Sequence, residues 1–118
     1  MRDKKSWHGV DLDGTLARQS TDRWVRTVGE PLEPMVKRIR NWLANGERVK
    51  IMTARVAKDH DGSMERIIKD WCRKHIGVEL PVTNKKDGFM IDLYDDKAVQ
   101  VAYNKGEPLH PRVGPIRR

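Results

Sequence analysis

A chain of 118 residues, 37% hydrophobic and 35% charged, suits one domain with one modest core and contains no apolar run long enough to span a membrane. The formal net charge of +7 favours anionic partners, phosphorylated molecules or nucleic acid, and says nothing of the fold. Cys72 is the lone cysteine, which excludes an internal disulfide, and no signal-peptide core opens the sequence, so a reducing, cytoplasmic setting is expected.

After a polar lead-in, residues 7–12 are predicted as the first strand. It runs into Asp11-Leu12-Asp13-Gly14-Thr15. Side chains two apart on a strand share a face, so Asp11 and Asp13 project the same way where the strand ends. Two like charges this close repel, and a site holding both usually has a cation between them or a proton on one. Gly14 permits a sharp turn, and Thr15 adds a hydroxyl and an amide. For this segment alone, an acidic turn closing a strand is the plain alternative.

Residues 18–33 have no clean period. Gly29-Glu30-Pro31 marks a loop, and Trp24, Val25 and Val28 suggest a small flap. Met35, Val36, Ile39, Trp42 and Leu43 fall at helical spacing over residues 34–45, with Pro34 in the first turn and Gly46 at the stop. Lys37, Arg38 and Arg40 are expected on its solvated side. A second strand covers residues 48–53 and ends on Thr53, and a polar loop follows over 54–62. Ser63 is the expected N-cap of a second helix carrying Met64, Ile67, Ile68, Trp71, Cys72 and Ile76, stopped by Gly77. Residues 78–83 form a third strand, placed at a sheet edge by Pro81. Residues 89–94 form a fourth, ending in Asp95-Asp96, and residues 99–103 a fifth.

Alternating strands and helices predict a three-layer α/β domain over residues 1–104. Its sheet has about five mainly parallel strands, with helices on both faces. Residues 105–118 read as a basic, Pro-rich tail. Ligands of such sheets sit beyond the carboxyl ends of the strands, where Asp11, Asp13, Thr53, Asp95 and Asp96 all fall. Lys85 and Lys86 precede the fourth strand and could reach the same rim. Carboxylates, a hydroxyl and a lysine on one rim suit phosphoryl chemistry with a hard ion such as Mg²⁺, which prefers oxygen ligands. Amides near Asp13 and Gly14 would add donors to a phosphate.

The order of these segments resembles the haloacid dehalogenase superfamily. Asp11-Leu12-Asp13-Gly14-Thr15 is similar to its first motif, Thr53 in Ile51-Met52-Thr53-Ala54-Arg55 to its second, Lys86 or Lys85 to its third, and Asp95-Asp96 to its fourth. The likeness covers residues 7–103 and is nearest to small cap-less members carried by phages and prophages. It implies Asp11 as nucleophile and Mg²⁺ ligand, and Asp13 as general acid/base that gives the metal its backbone carbonyl. Asp95 and Asp96 would complete the metal site. Thr53 would hold the transferring phosphoryl group with Lys86, and Gly14, Thr15, Ala54, Arg55 and Lys85 would line the substrate site. An aspartate two residues after the nucleophile favours phosphatases over dehalogenases. With no room for a cap domain, the site should be open or covered by a neighbouring subunit in a homo-oligomer. The expected function is a Mg²⁺-dependent phosphatase acting on a phosphorylated small molecule or a nucleic-acid end. The alternative is a non-catalytic module using the same metal and phosphate groove to bind an anionic partner.

Overall fold

The computed structural model describes residues 4–19 and 26–111. Trp24 and Val25 of the expected flap lie outside the described residues, as do residues 112–118 of the expected tail. The elements run β1 (Trp7–Asp11), α1 (Glu33–Ala44), β2 (Arg48–Met52), a short 3₁₀ turn (Ala54–Val56), α2 (Ser63–His75), β3 (Val82–Thr83) and β4 (Met90–Tyr94). The strands make one parallel sheet in the order β3-β2-β1-β4. As Pro81 foretold, β3 is an edge strand. No described helix is long and apolar enough to cross a membrane.

The apolar residues on alternate positions decide how the layers form. His8 and Val10 of β1 lie beside Val49 and Ile51 of β2 and share one face. Val10, Val49 and Ile51 join a single core with Val36 and Ile39 of α1 and Met64, Ile68 and Cys72 of α2. Both helices therefore cover the same face, and the expectation of helices on both faces is corrected. The reason is topological. The steps β1 to β2 and β2 to β3 move the same way across the sheet, and right-handed crossovers put both connecting helices on one side. The return from β3 to β4 is only residues 84–89, which crosses the other face without a helix. There Trp7, 1% exposed, donates its indole N–H to Asp87 at 2.8 Å, while the Lys50 ammonium lies 4.7 Å from its ring centroid.

The expected fifth strand is also corrected: among the described residues the sheet has four. Val101 instead makes one antiparallel bridge to Pro108, with Ala102 N donating to Glu107 O and Leu109 N to Gln100 O. The expected domain boundary at residue 104 falls inside this small hairpin. At the start of α2 the N-cap position belongs to Gly62, not Ser63. Carboxylates upstream satisfy the free amides instead: Asp61 accepts from Ser63 N, and Asp59 from Met64 N and Glu65 N.

Residues 26–32 return alongside the β1 loop, with Arg18 N donating to Glu30 O and Leu32 N to Leu16 O. Gly29 fits there because a Cβ would stand 2.1 Å from the carbonyl oxygen of Arg18. The indole N–H of Trp71 bonds the Gly29 carbonyl at 2.9 Å, fixing this segment to α2.

Candidate active site at the carboxyl ends of the strands

The first motif folds as a strand end followed by a tight loop. Leu12 is fully buried, and its carbonyl accepts from the amides of Thr15, Leu16 and Ala17. Gly14 takes a φ of 86°, the left-handed conformation the turn needs, and donates its N–H to Ala17 O. The Gly14 and Thr15 amides thus close their own loop. The Thr15 side chain works differently. Its hydroxyl donates to Asp96 Oδ1 at 3.1 Å, has Asp11 Oδ2 at 3.4 Å, and accepts from Asp96 N at 3.0 Å.

Those contacts draw the ends of β1 and β4 together. Asp11, Asp95 and Asp96 each offer one oxygen, and the three oxygens lie within 4.8 Å of one another. Partial burial pushes the Asp11 carboxyl up to about 6, helped by the negative charge of Asp95 and then Asp13, against opposing effects from the Leu12 backbone and the Lys97 ammonium. Three half-buried carboxylates whose oxygens converge this closely fit a hard divalent cation, whose charge would relieve the repulsion on Asp11. Mg²⁺ suits the all-oxygen donor set.

Beside this cluster opens a cleft of about 490 Å³. Asp11, Asp13, Thr53, Ala54, Arg55 and Asp95 from the expected site all line it, so the structure brings both ends of the motif order to one cavity. Gly14, Thr15, Asp96, Lys85 and Lys86 do not line it. Lys85 is held in a turn in which Thr83 Oγ1 accepts from its amide at 3.0 Å, and both lysines are exposed. Their neighbour Asn84 faces the cleft instead. The lysine that does reach it is Lys97, which sequence reasoning missed. Its signal was present, because it directly follows Asp95-Asp96 and shares their turn: Lys97 N donates to Asp95 Oδ1 at 2.8 Å.

Thr53 is buried, and its hydroxyl oxygen accepts from Arg55 N at 3.1 Å, which caps the 3₁₀ turn. The hydroxyl proton remains available for an oxygen in the cleft. Arg55 then reaches across to Asp13 in a bidentate pair, with Nε to Oδ2 and Nη2 to Oδ1 both at 2.8 Å. Its remaining nitrogen, Nη1, donates to Thr27 O at 2.8 Å.

Among solved structures, the chain is similar to a conserved protein from Bacteroides thetaiotaomicron, with a TM-score of 0.57 and 23% identity over 79% of this chain and 77% of that one. At that identity the likeness shows the fold alone, a parallel α/β sheet. No protein-family model matches the sequence, and no curated protein matches it.

Proposed function

We propose that the protein is a cap-less, Mg²⁺-dependent phosphatase that works through a phosphoaspartate on Asp11. One observation carries the reading: Asp11, Asp95, Thr53 and Lys97 line one cleft, and Asp96 stands within metal-sharing distance of the first two. Asp11, Asp95 and Asp96 would hold the ion, which would neutralise charge on the phosphoryl group. Thr53 donates its hydroxyl to a phosphoryl oxygen, and the Lys97 ammonium balances the charge of the bound ester. Asp11 attacks phosphorus as the P–O ester bond breaks, and Asp13 supplies the proton to the leaving oxygen. Asp13 then takes a proton from the water that hydrolyses the acyl phosphate and restores Asp11.

Among the described residues the cleft is open and no cap covers it. That suits a bulky substrate, and the +7 charge favours a nucleotide or a nucleic-acid end. Turnover of p-nitrophenyl phosphate with Mg²⁺, compared with Asp11→Asn, tests the reading. Hydrolysis by the wild type and none by the variant supports it. Mg²⁺ and phosphate binding without turnover supports the binding module instead.

A further inference from the structure

The bidentate pair between Arg55 and Asp13 stands against the chemistry just assigned. Each oxygen of the Asp13 carboxylate accepts a guanidinium N–H, so the pair competes with a leaving group for this carboxyl while it is closed. Both side chains line the cleft, and each is 18% exposed, so a ligand entering the cavity meets them.

We propose that Arg55 changes partner when a phosphate ester binds: the guanidinium leaves Asp13 for the phosphoryl oxygens, and the freed Asp13 carboxyl turns to the leaving group. The inference rests on the phosphatase reading and deepens it. Arg55 is placed for such an exchange. Its backbone amide is fixed by the Thr53 hydroxyl oxygen, so Arg55 and the phosphoryl-holding residue ride on one turn. Nη1 is anchored on the Thr27 carbonyl, leaving Nε and Nη2 as the two donors that switch. A planar fork that fits a carboxylate with two parallel bonds fits two phosphate oxygens equally, and a dianion competes well against a single carboxylate. A lysine at this position could not make either pair in that form. The exchange ties release of Asp13 to the presence of substrate, so the proton donor is presented only when there is a leaving oxygen to receive it.

The test is a double-mutant cycle on binding of inorganic phosphate, read by calorimetry with Mg²⁺ present. The proteins are wild type, Asp13→Asn, Arg55→Met and Asp13→Asn/Arg55→Met. If Asp13 competes for Arg55, Asp13→Asn tightens phosphate binding by about five- to tenfold, and that gain largely disappears when Arg55 is absent. Because the asparagine side chain keeps a carbonyl that Arg55 could still grip, Asp13→Ala should give a gain at least as large. Thermal melting of each variant identifies any that has lost its fold, and Arg55→Lys, which keeps the charge but not the fork, then replaces Arg55→Met. Equal gains with and without Arg55 would mean simple relief of repulsion, and would overturn the exchange. So would no gain at all in a protein whose wild type turns over aryl phosphate. A wild type that neither binds phosphate nor hydrolyses the ester removes the phosphatase reading and this inference with it.

Discussion

Thr15 and Asp96, 81 residues apart in sequence, exchange two hydrogen bonds: the Thr15 hydroxyl donates to Asp96 Oδ1 at 3.1 Å and accepts from Asp96 N at 3.0 Å. The pair fastens the β1 loop to the end of β4 and orients a carboxylate of the candidate metal site. Groups that orient metal ligands commonly contribute about 10–100-fold to affinity. Thr15→Val keeps the shape and removes both bonds. Calorimetric titration with Mg²⁺ should show at least about a tenfold weaker site, while Thr15→Ser should stay near wild type.

The metal-free protein should be sensitive to pH in one window. Asp11 has an ordinary value of 3.8 and is raised to about 6 by burial first and then by Asp95. Between those values the folded protein keeps a proton that the unfolded chain has lost, so stability falls as pH rises from about 4 to about 6. Below that window the penalty is absent, and above it the penalty is complete. Asp61, lowered by hydrogen bonds from Ser63, and Asp87, lowered first by the Trp7 indole, act only below the ordinary carboxylate range. Melting curves in chelator should therefore drop across the window for the wild type and much less for Asp11→Asn. Saturating Mg²⁺ should remove the drop, because it binds the ionised form. A flat wild-type curve in chelator contradicts the placement of Asp11.

The lysine variants divide by location. Lys97 lines the cleft, while Lys85 and Lys86 are exposed and do not. Under the proposed reading, Lys97→Ala should lower kcat/KM for an aryl phosphate by about 10²-fold, a loss of the size that removing one charged stabiliser gives. Lys85→Ala and Lys86→Ala should each leave it nearly unchanged. The reverse pattern would return the role to the loop before β4.

The elements were legible because their signals are local. The periodicity of Val36 and Ile39, the stop at Gly46 and the alternation through Val49 and Ile51 identify α1 and β2 nearly to the residue. What sequence could not supply was the result of chain crossing. The common face of the two helices depends on strand order, and the absence of a helix before β4 depends on how residues 84–89 cross the sheet. Val101 and Tyr103 resemble a strand, but the chain reverses beyond them and pairs Val101 with Pro108. Arg40 reads as a solvated surface residue yet donates to the carbonyls of His75 and Ile76, capping the end of α2. His8 reads as one polar residue in an apolar strand. It is buried, stacked on Trp42 with centroids 4.0 Å apart, and bonded to Asp92 at 2.8 Å and Glu47 at 2.9 Å. In the candidate site, the carboxylates and Thr53 were legible because a strand end fixes where they point. Lys97 and the Arg55–Asp13 pair were not, since both depend on side chains reaching across loops.

Gly29 offers a test of the segment beside the cleft. A methyl group there would collide with the Arg18 carbonyl, and the backbone has to shift to admit it. Gly29→Ala should cost about 1–3 kcal/mol in urea unfolding. It should also disturb the Thr27 carbonyl that anchors Arg55, so under the proposed reading the variant should lose activity beyond its loss of stability. An alanine variant as stable as wild type would show that the segment yields easily.

If Asp11 is the nucleophile, the enzyme passes through a covalent phosphoaspartate that Asp13 helps to hydrolyse. Asp13→Asn should therefore accumulate it when supplied with p-nitrophenyl phosphate, whose phenol leaves without a general acid. The measurement is intact mass and peptide mapping of that variant, quenched in acid during the reaction with Mg²⁺ present. The expected result is one added phosphoryl group on the peptide carrying Asp11, absent with chelator and absent in Asp11→Asn. Turnover with no phosphoryl group on that peptide, or an adduct that survives Asp11→Asn, would contradict the assignment of Asp11 and the mechanism built on it.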